Sequence, residues 1–391
     1  MDLFEKCEKY TAAREVMASG VYPYFHELST YQDCVVTIEG RRTIMLGSNN
    51  YMGLTSDPRV INASMEAARK FGSGCSGSRF LNGTLVLHNN LETELASFLN
   101  KEAALTFSTG FQTNLGIISA ITGPHDMIFS DRGNHASIVD GCRLSFAKTV
   151  KYAHNDVDEL LDKLERAPEE VGKLIVTDGV FSMEGDIARL PEIIDIARRY
   201  GARVMVDDAH SLGMIGDCGR GTANYYGLED EVDIIMGTFS KSLASLGGYI
   251  AAKESVIHYI KHNSRPFIFS ASMPPACCGA ALEALRIIQS EPERPIKLRE
   301  NGDYLRAKFR EAGITIGDSK TAIVPVMTYE TERTFRIHHM LLMAGVYCNP
   351  VIAPAVAEGE CLLRTSCTAT HTREHLDEAV AIFKDVFEKV Q

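Results

Sequence analysis

The sequence predicts an α/β protein, with a large domain built on a mostly parallel central sheet flanked by helices and a small α+β domain at the C-terminal end. Three observations predict it. From about residue 58, strand-length apolar runs alternate with helical stretches, the signature of βαβ units. After about residue 290 the rhythm changes to short strands and helices, closing on one long amphipathic segment. The polar residues best suited to chemistry stand at the ends of the predicted strands, where parallel sheets place their sites.

The elements follow in order. Residues 1–20 read as a polar helix. Val36-Thr37-Ile38 and Thr43–Leu46 read as a hairpin turning at Gly40, and with the preceding helix they make a first unit, 1–46. The large domain is assigned to 47–290. Leu91, Leu95, Phe98 and Leu99 repeat at helical spacing, and Ala103–Phe107 then reads as a strand ending in Ser108-Thr109-Gly110. Met127–Phe129, Lys173–Thr177, Arg203–Val206 and Asp233–Met236 read as further strands. Leu190–Tyr200 reads as a helix closed by Gly201. In the small domain, 291–391, the strands are Ala322–Met327, Gly345–Cys348 and Leu362–Thr365. The helix Arg373–Val390 gathers Leu376, Ala379, Val380, Phe383, Val386 and Phe387 on one face.

Composition removes several classes of function. The chain has 391 residues, with 45% hydrophobic and 23% charged, the balance of a globular protein. A net charge of −11 argues against a nucleic-acid partner, which needs a basic face. No run approaches the roughly 20 apolar residues of a membrane span, and Met1-Asp2-Leu3-Phe4-Glu5-Lys6 lacks the apolar core of a signal peptide. A cytoplasmic protein with no transmembrane segment is expected. The ten cysteines show no C-x-x-C spacing and are expected to be free thiols.

Lys241 carries the strongest chemical signal. It lies in Thr238-Phe-Ser240-Lys241-Ser242, just after an apolar strand. A lysine buried there loses solvation, which lowers its pKa and makes it a nucleophile toward an aldehyde. A second strand end carries Asp207 and, three residues on, His210. A lysine for a Schiff base and an aspartate for a pyridinium are the protein's share of pyridoxal-phosphate chemistry. Taken singly, each also reads as a surface lysine or a capping aspartate. Ser108-Thr-Gly110-Phe111-Gln112 leaves a strand and opens a helix, whose free N–H groups suit a phosphate. Thr238 and Ser240 add hydroxyls beside Lys241. His135, in Asn134-His-Ala-Ser-Ile138, stands near another strand end, placed to stack on a ring. Arg364 interrupts an apolar strand and needs an anionic partner, either a protein carboxylate or a substrate's.

Other motifs point less clearly. Gly72-Ser-Gly74-Cys-Ser-Gly77 matches a dinucleotide fingerprint but follows a helical stretch, so a glycine-rich substrate loop leading into Ser78-Arg79 is the better reading. His371 and His375 share a helical face without a third ligand, so no metal is expected, and His338-His339 read as surface residues.

Longer segments extend this picture: Gly77-Ser-Arg79-Phe-Leu-Asn82-Gly83-Thr84, Asp178-Gly-Val-Phe-Ser182-Met-Glu-Gly-Asp186, Val206-Asp-Asp-Ala-His-Ser211-Leu-Gly213 and Met236–Gly248. In these segments the chain resembles the α-oxoamine synthases, fold-type-I pyridoxal-phosphate enzymes, over nearly its whole length. The resemblance implies that Lys241 carries the cofactor, Asp207 meets its ring nitrogen, His210 its phenolic oxygen, and His135 stacks on the ring. It places Gly110, Phe111, Ser182, Thr238 and Ser240 around the cofactor, and Asn50 and Arg364 toward the substrate carboxylate. It also implies a homodimer with shared sites, in which Ala271 and Ser272 reach the partner's phosphate. Gly20-Val-Tyr-Pro-Tyr-Phe25 and Ala369-Thr-His-Thr372 fit the soluble bacterial branch that condenses L-serine with a long-chain acyl-CoA such as palmitoyl-CoA. That reaction releases carbon dioxide and CoA and gives 3-ketodihydrosphingosine. Glycine with acetyl-CoA and alanine with pimeloyl-CoA are the alternatives within the family, because they share the cofactor chemistry. Outside it stand a non-catalytic partner subunit, which would not need Lys241, and a dinucleotide oxidoreductase, which rests on the 72–77 glycines alone. Met52 and Cys367-Thr368 depart from the family pattern beside the substrate.

Overall fold

Seven strands form the central sheet of the computed structural model, which describes residues 2–390. In chain order the strands are β1 (Val35–Ile38), β2 (Arg41–Met45), β3 (Ala103–Phe107), β4 (Asp126–Asp131), β5 (Lys148–Tyr152), β6 (Gly172–Asp178), β7 (Arg203–Asp207), β8 (Ile234–Thr238), β9 (Gly248–Ala252), β10 (Ile323–Tyr329), β11 (Val346–Tyr347), β12 (Asn349–Val351) and β13 (Cys361–Ser366). The central sheet runs β3-β9-β8-β7-β6-β4-β5. Only β9 is antiparallel to its neighbours. The other strands are parallel, so Phe107, Asp131, Asp178, Asp207 and Thr238 end along one edge. The β6–β7 register sets Asp178 directly beside Asp207. The sheet interior is apolar on both faces, as a sheet covered on both sides requires.

Local chemistry sets the helix starts at that edge. Thr109 caps the helix Gly110–Ile121, its hydroxyl accepting from the N–H of Gln112 at 3.1 Å. His135 caps the helix Ala136–Ser145 with its own ring nitrogen. Helix Leu190–Tyr200 ends on Gly201 at φ +64°, the left-handed position that glycine adopts without strain. The expected strands all form, and three that were not expected join them: β5, β9 and the short β12. β5 is an edge strand of sequence Lys-Thr-Val-Lys-Tyr, too polar to read as apolar. β9 is built on Gly248 and alanines, and a Cβ at Gly248 would stand 3.0 Å from the Gly110 Cα, so glycine lets the strand approach the capped helix.

Two three-stranded sheets complete the fold. β10-β13-β12 is antiparallel, with Arg364 on the central strand opposite Pro325 and Asn349. β11 pairs in parallel with β2 of the N-terminal hairpin. Helix Arg373–Lys389 buries Leu376, Ala379, Val380, Phe383 and Val386 as its periodicity predicts. Residues 1–20 were expected to form one helix. They form two short ones instead, Glu5–Glu8 and Ala12–Ala18, neither of which buries a residue; without an apolar face to pack, a long helix is not sustained. The expected surface placement of His338 is also corrected. It lies on the inner face of helix Thr331–Met343 with Thr334 and Leu341, and its Nδ1 is 2.9 Å from the Cys348 carbonyl.

Candidate active site

A cavity of about 280 Å³ opens at the carboxyl edge of the sheet. Its lining includes Gly110, Phe111, His135, Asp207, His210, Thr238, Ser240 and Lys241, eight of the residues expected from sequence. The loop carrying Lys241 is closed by backbone bonds from Phe239 to Gly247 (2.9 Å) and from Ser245 to Phe239 (2.8 Å), which fixes the lysine after β8. Burial pushes the Lys241 ammonium down to about 8, while the charges of Asp207 and Asp178 oppose the fall.

Asp207, the last residue of β7, and Asp208, which follows it, have opposite orientations. Asp207 faces the cavity; its Oδ1 accepts from the Ala209 N–H at 2.9 Å and its Oδ2 from the Asn114 amide at 2.7 Å. Asp208 turns away to Thr222, accepting from its hydroxyl at 2.6 Å and its N–H at 3.0 Å. Asp178 joins Asp207 at the edge with its Oδ1 buried and unpartnered, and burial followed by the Asp207 charge pushes its carboxyl well up. Burial, then the Lys241 and Arg364 charges, hold His210 well below the usual histidine range, so it is neutral. Its Nδ1 is 2.7 Å from the Tyr51 hydroxyl. The His135 Nδ1 is 2.7 Å from the Ser137 hydroxyl.

Helix Gly110–Ile121 begins at the cavity wall. The N–H groups of Gly110 and Phe111 are first-turn donors with no intrahelical acceptor, and both residues line the cavity. The Thr238 Oγ1 accepts from the Ser240 N–H at 3.2 Å and donates to the Gly247 carbonyl at 3.0 Å. It would lie 3.0 Å from a Cβ at position 110, so glycine keeps the helix end close to β8.

The remaining expected residues stand outside this lining. Arg364 is 4% exposed and its partners are neutral: the Ser182 carbonyl and, at 3.0 Å, the Tyr51 hydroxyl. Asn50 spends both amide hydrogens on the Gln32 carbonyl (3.1 Å) and the Thr55 hydroxyl (2.7 Å), so it organises its own loop. The Ala271 carbonyl accepts from the Ser108 hydroxyl, and Ser272 holds the Gly77 carbonyl through its N–H at 2.9 Å. The 72–77 glycines follow helix Pro58–Phe71 and not a strand, and Arg79 is anchored in a buried ion pair with Glu92 at 2.6 Å.

Sequence reasoning gave no role to Tyr51, Asn114, Ser137 or Asp178. Asn114 had a readable signal: it stands four residues after Gly110, on the same helix face. His154, Glu184 and Asp186 gather their ligand atoms within 4.8 Å. Burial works against a charge on His154, but hydrogen bonds to Asp131 and Asp186 raise it to about 10, and it pairs with both carboxylates at 3.1 Å. His371 caps its own turn, its Nδ1 accepting from the Thr368 N–H at 2.9 Å. All ten cysteines are free. No helix among the described residues is long and apolar enough to cross a membrane.

The family model described as aminotransferase class I and II matches residues 41–383. The serine palmitoyltransferase of Sphingobacterium spiritivorum is 51% identical over 389 residues, covering 100% of this chain and 98% of that protein. The 8-amino-7-oxononanoate synthase 1 of Bacillus velezensis is 44% identical over 365 residues, covering 93% of each. Among solved structures, a serine palmitoyltransferase from S. paucimobilis with a bound PLP–myriocin aldimine superposes with a TM-score of 0.97 at 38% identity, covering 100% of this chain and 99% of that one.

Proposed function

The chain belongs to the class I and II aminotransferase family, and from that membership we propose that it has pyridoxal-phosphate-dependent serine palmitoyltransferase activity. It condenses L-serine with a long-chain acyl-CoA and releases carbon dioxide and CoA. The observation that carries this reading is the end-to-end likeness to serine palmitoyltransferases, stronger than that to an oxononanoate synthase.

The residues present fit the cofactor. Lys241 offers a desolvated amine at the cavity wall. Asp207, with both oxygens held by donors, is a fixed anion for a ring nitrogen. A neutral His210, its Nδ1 engaged with the Tyr51 hydroxyl at 2.7 Å, leaves Nε2 for a phenolic oxygen. The free N–H groups at Gly110 and Phe111 suit a phosphate, with Ser240 at the same cavity wall. Ser182 fits less directly, since its carbonyl is the acceptor for Arg364.

When bound, pyridoxal phosphate supplies an electron-accepting ring that acidifies the amino acid's Cα–H and leaves a carbon nucleophile for the thioester. The chain's residues do the rest. Arg364 has no carboxylate among its partners, so its buried charge is balanced by the amino acid's carboxylate. His135, at the cavity wall, would stack on the ring and turn its Nε2 toward the substrate. Lys241, as a neutral amine, a state its lowered pKa favours, would remove the Cα proton of the bound amino acid. Asp207 keeps the opposing charge in place throughout.

The same reading makes the enzyme a homodimer. Ala271 and Ser272 do not line their own chain's cavity, and beside them Phe269 is 78% exposed. Phe111, at the cavity wall, is 43% exposed, so apolar surface surrounds the opening.

The test is release of free CoA from palmitoyl-CoA by the cofactor-loaded protein, with serine, glycine or alanine offered separately. Release with serine alone supports the proposal. Release with alanine and pimeloyl-CoA, and none with serine, assigns the chain to the oxononanoate chemistry instead.

A further inference from the structure

We propose that Asn114 is a positioning residue of the reaction, which locks Asp207 toward the cofactor's ring nitrogen and fixes the proton of His135 on Nε2. This rests on the cofactor reading above. The observation behind it is one continuous chain of buried hydrogen bonds. Asn114 is 1% exposed and spends its two amide hydrogens on two acceptors: Asp207 Oδ2 at 2.7 Å and the Ser137 hydroxyl oxygen at 2.9 Å. The Ser137 hydroxyl, already an acceptor, sends its single hydrogen to His135 Nδ1 at 2.7 Å. The Ser137 N–H adds a second donor to the same nitrogen at 3.2 Å.

The direction of every bond follows from the donor inventory. A carboxylate only accepts, so the group facing Asp207 is the amide nitrogen of Asn114, and flipping the amide would set two oxygens against each other. The Asn114 Oδ1 is left buried without a partner. An orphaned carbonyl is costly, and the side chain keeps this orientation because both of its hydrogens are claimed. Ser137 then has no choice of direction, and His135 Nδ1, which faces two donors, holds no proton. Burial lowers the pKa of the ring, the Asp207 charge opposes the fall and the Lys241 charge adds to it; in the neutral ring the two donors at Nδ1 leave the one proton for Nε2. Asn114 thus couples the group that would meet the ring nitrogen to the group that would stack on the ring, from a helix whose first turn offers its N–H groups to the cavity.

Two variants separate this role from packing. Asn114→Asp keeps the shape but replaces the donor with an acceptor facing Asp207. Ser137→Ala leaves the Asn114–Asp207 bond and cuts the branch to His135. Three quantities are measured on each: the dissociation constant for pyridoxal phosphate, the pH midpoint of the bound cofactor's visible absorbance, and the KM for serine, with thermal melting as the folding control. Asn114→Asp is expected to weaken cofactor binding about tenfold to a hundredfold, the effect of losing one buried bond to a charged group, and to move the absorbance midpoint. Ser137→Ala is expected to raise the serine KM with cofactor affinity and midpoint unchanged. A packing role would lower the melting temperature and leave the midpoint where it was. Asn114→Asp with wild-type affinity and midpoint overturns the proposal. If that variant does not fold, Ser137→Ala decides, and an unchanged serine KM overturns it. If the unaltered chain develops no absorbance with pyridoxal phosphate, the cofactor reading falls first and this proposal with it.

Discussion

The Tyr51 hydroxyl lies 2.7 Å from Nδ1 of His210, and from the other side it accepts a hydrogen bond from Arg364 Nη2 at 3.0 Å. One phenol therefore links β13 to the turn after β7, and the residue expected to bind the substrate to a residue expected to bind the cofactor. Tyr51→Phe removes this link and keeps the ring packing. The serine KM is expected to rise about tenfold, as Arg364 loses a fixed partner in a buried site. Steady-state kinetics check it, and an unchanged KM would show that the hydroxyl is only a packing detail.

Arg364 has neutral protein partners, so removing it orphans no buried carboxylate. Arg364→Ala should therefore melt near the wild type, well short of the roughly 3–5 kcal/mol lost when a buried ion pair is broken. The serine KM should rise steeply with a smaller change in kcat. Both are measured on one sample. A large fall in melting temperature with an unchanged KM would make the arginine structural.

The lowered Lys241 pKa has a pH signature. Its folded value is about 8, against 10.5 for an ordinary lysine. Between these values the unfolded chain binds more protons at this residue, so its contribution to stability rises with pH across that window and is flat above it. Uptake of pyridoxal phosphate needs the neutral amine, so its rate should climb through about pH 8 and level off above. In Lys241→Met the stability rise across this window should be missing. An uptake midpoint near 10.5 would mean that the lysine is not desolvated.

A shared site predicts complementation. Lys241→Ala removes the amine, and Ser272→Asp places a charge where a partner's phosphate would lie. Each variant alone should be inactive, and a mixed dimer should regain one working site of its two. If subunit exchange is demonstrated and no activity returns, each chain is self-sufficient.

The parts of the fold that sequence made legible were those with strong periodicity. β3, β7 and β8, the helix closed by Gly201 and the C-terminal helix all announced themselves through apolar runs and caps. β9 did not, because its first residue, Gly248, answers a close approach to helix Gly110–Ile121, which a linear reading does not see. Lys241, Asp207 and His135 were visible because each follows a strand. Tyr51 and Ser137 were not, because their roles depend on neighbours 159 and 23 positions away in sequence. Asn50 illustrates the opposite case: the motif marked it, and the fold uses its amide to hold the loop that presents Tyr51.

The central claim is that Lys241 is the one lysine that holds the cofactor. Borohydride reduction of the loaded protein, followed by peptide mapping, tests it most directly. The account predicts a single labelled peptide containing Lys241, lost in Lys241→Ala while the variant remains folded. Labelling of any other lysine in the unaltered chain would contradict it.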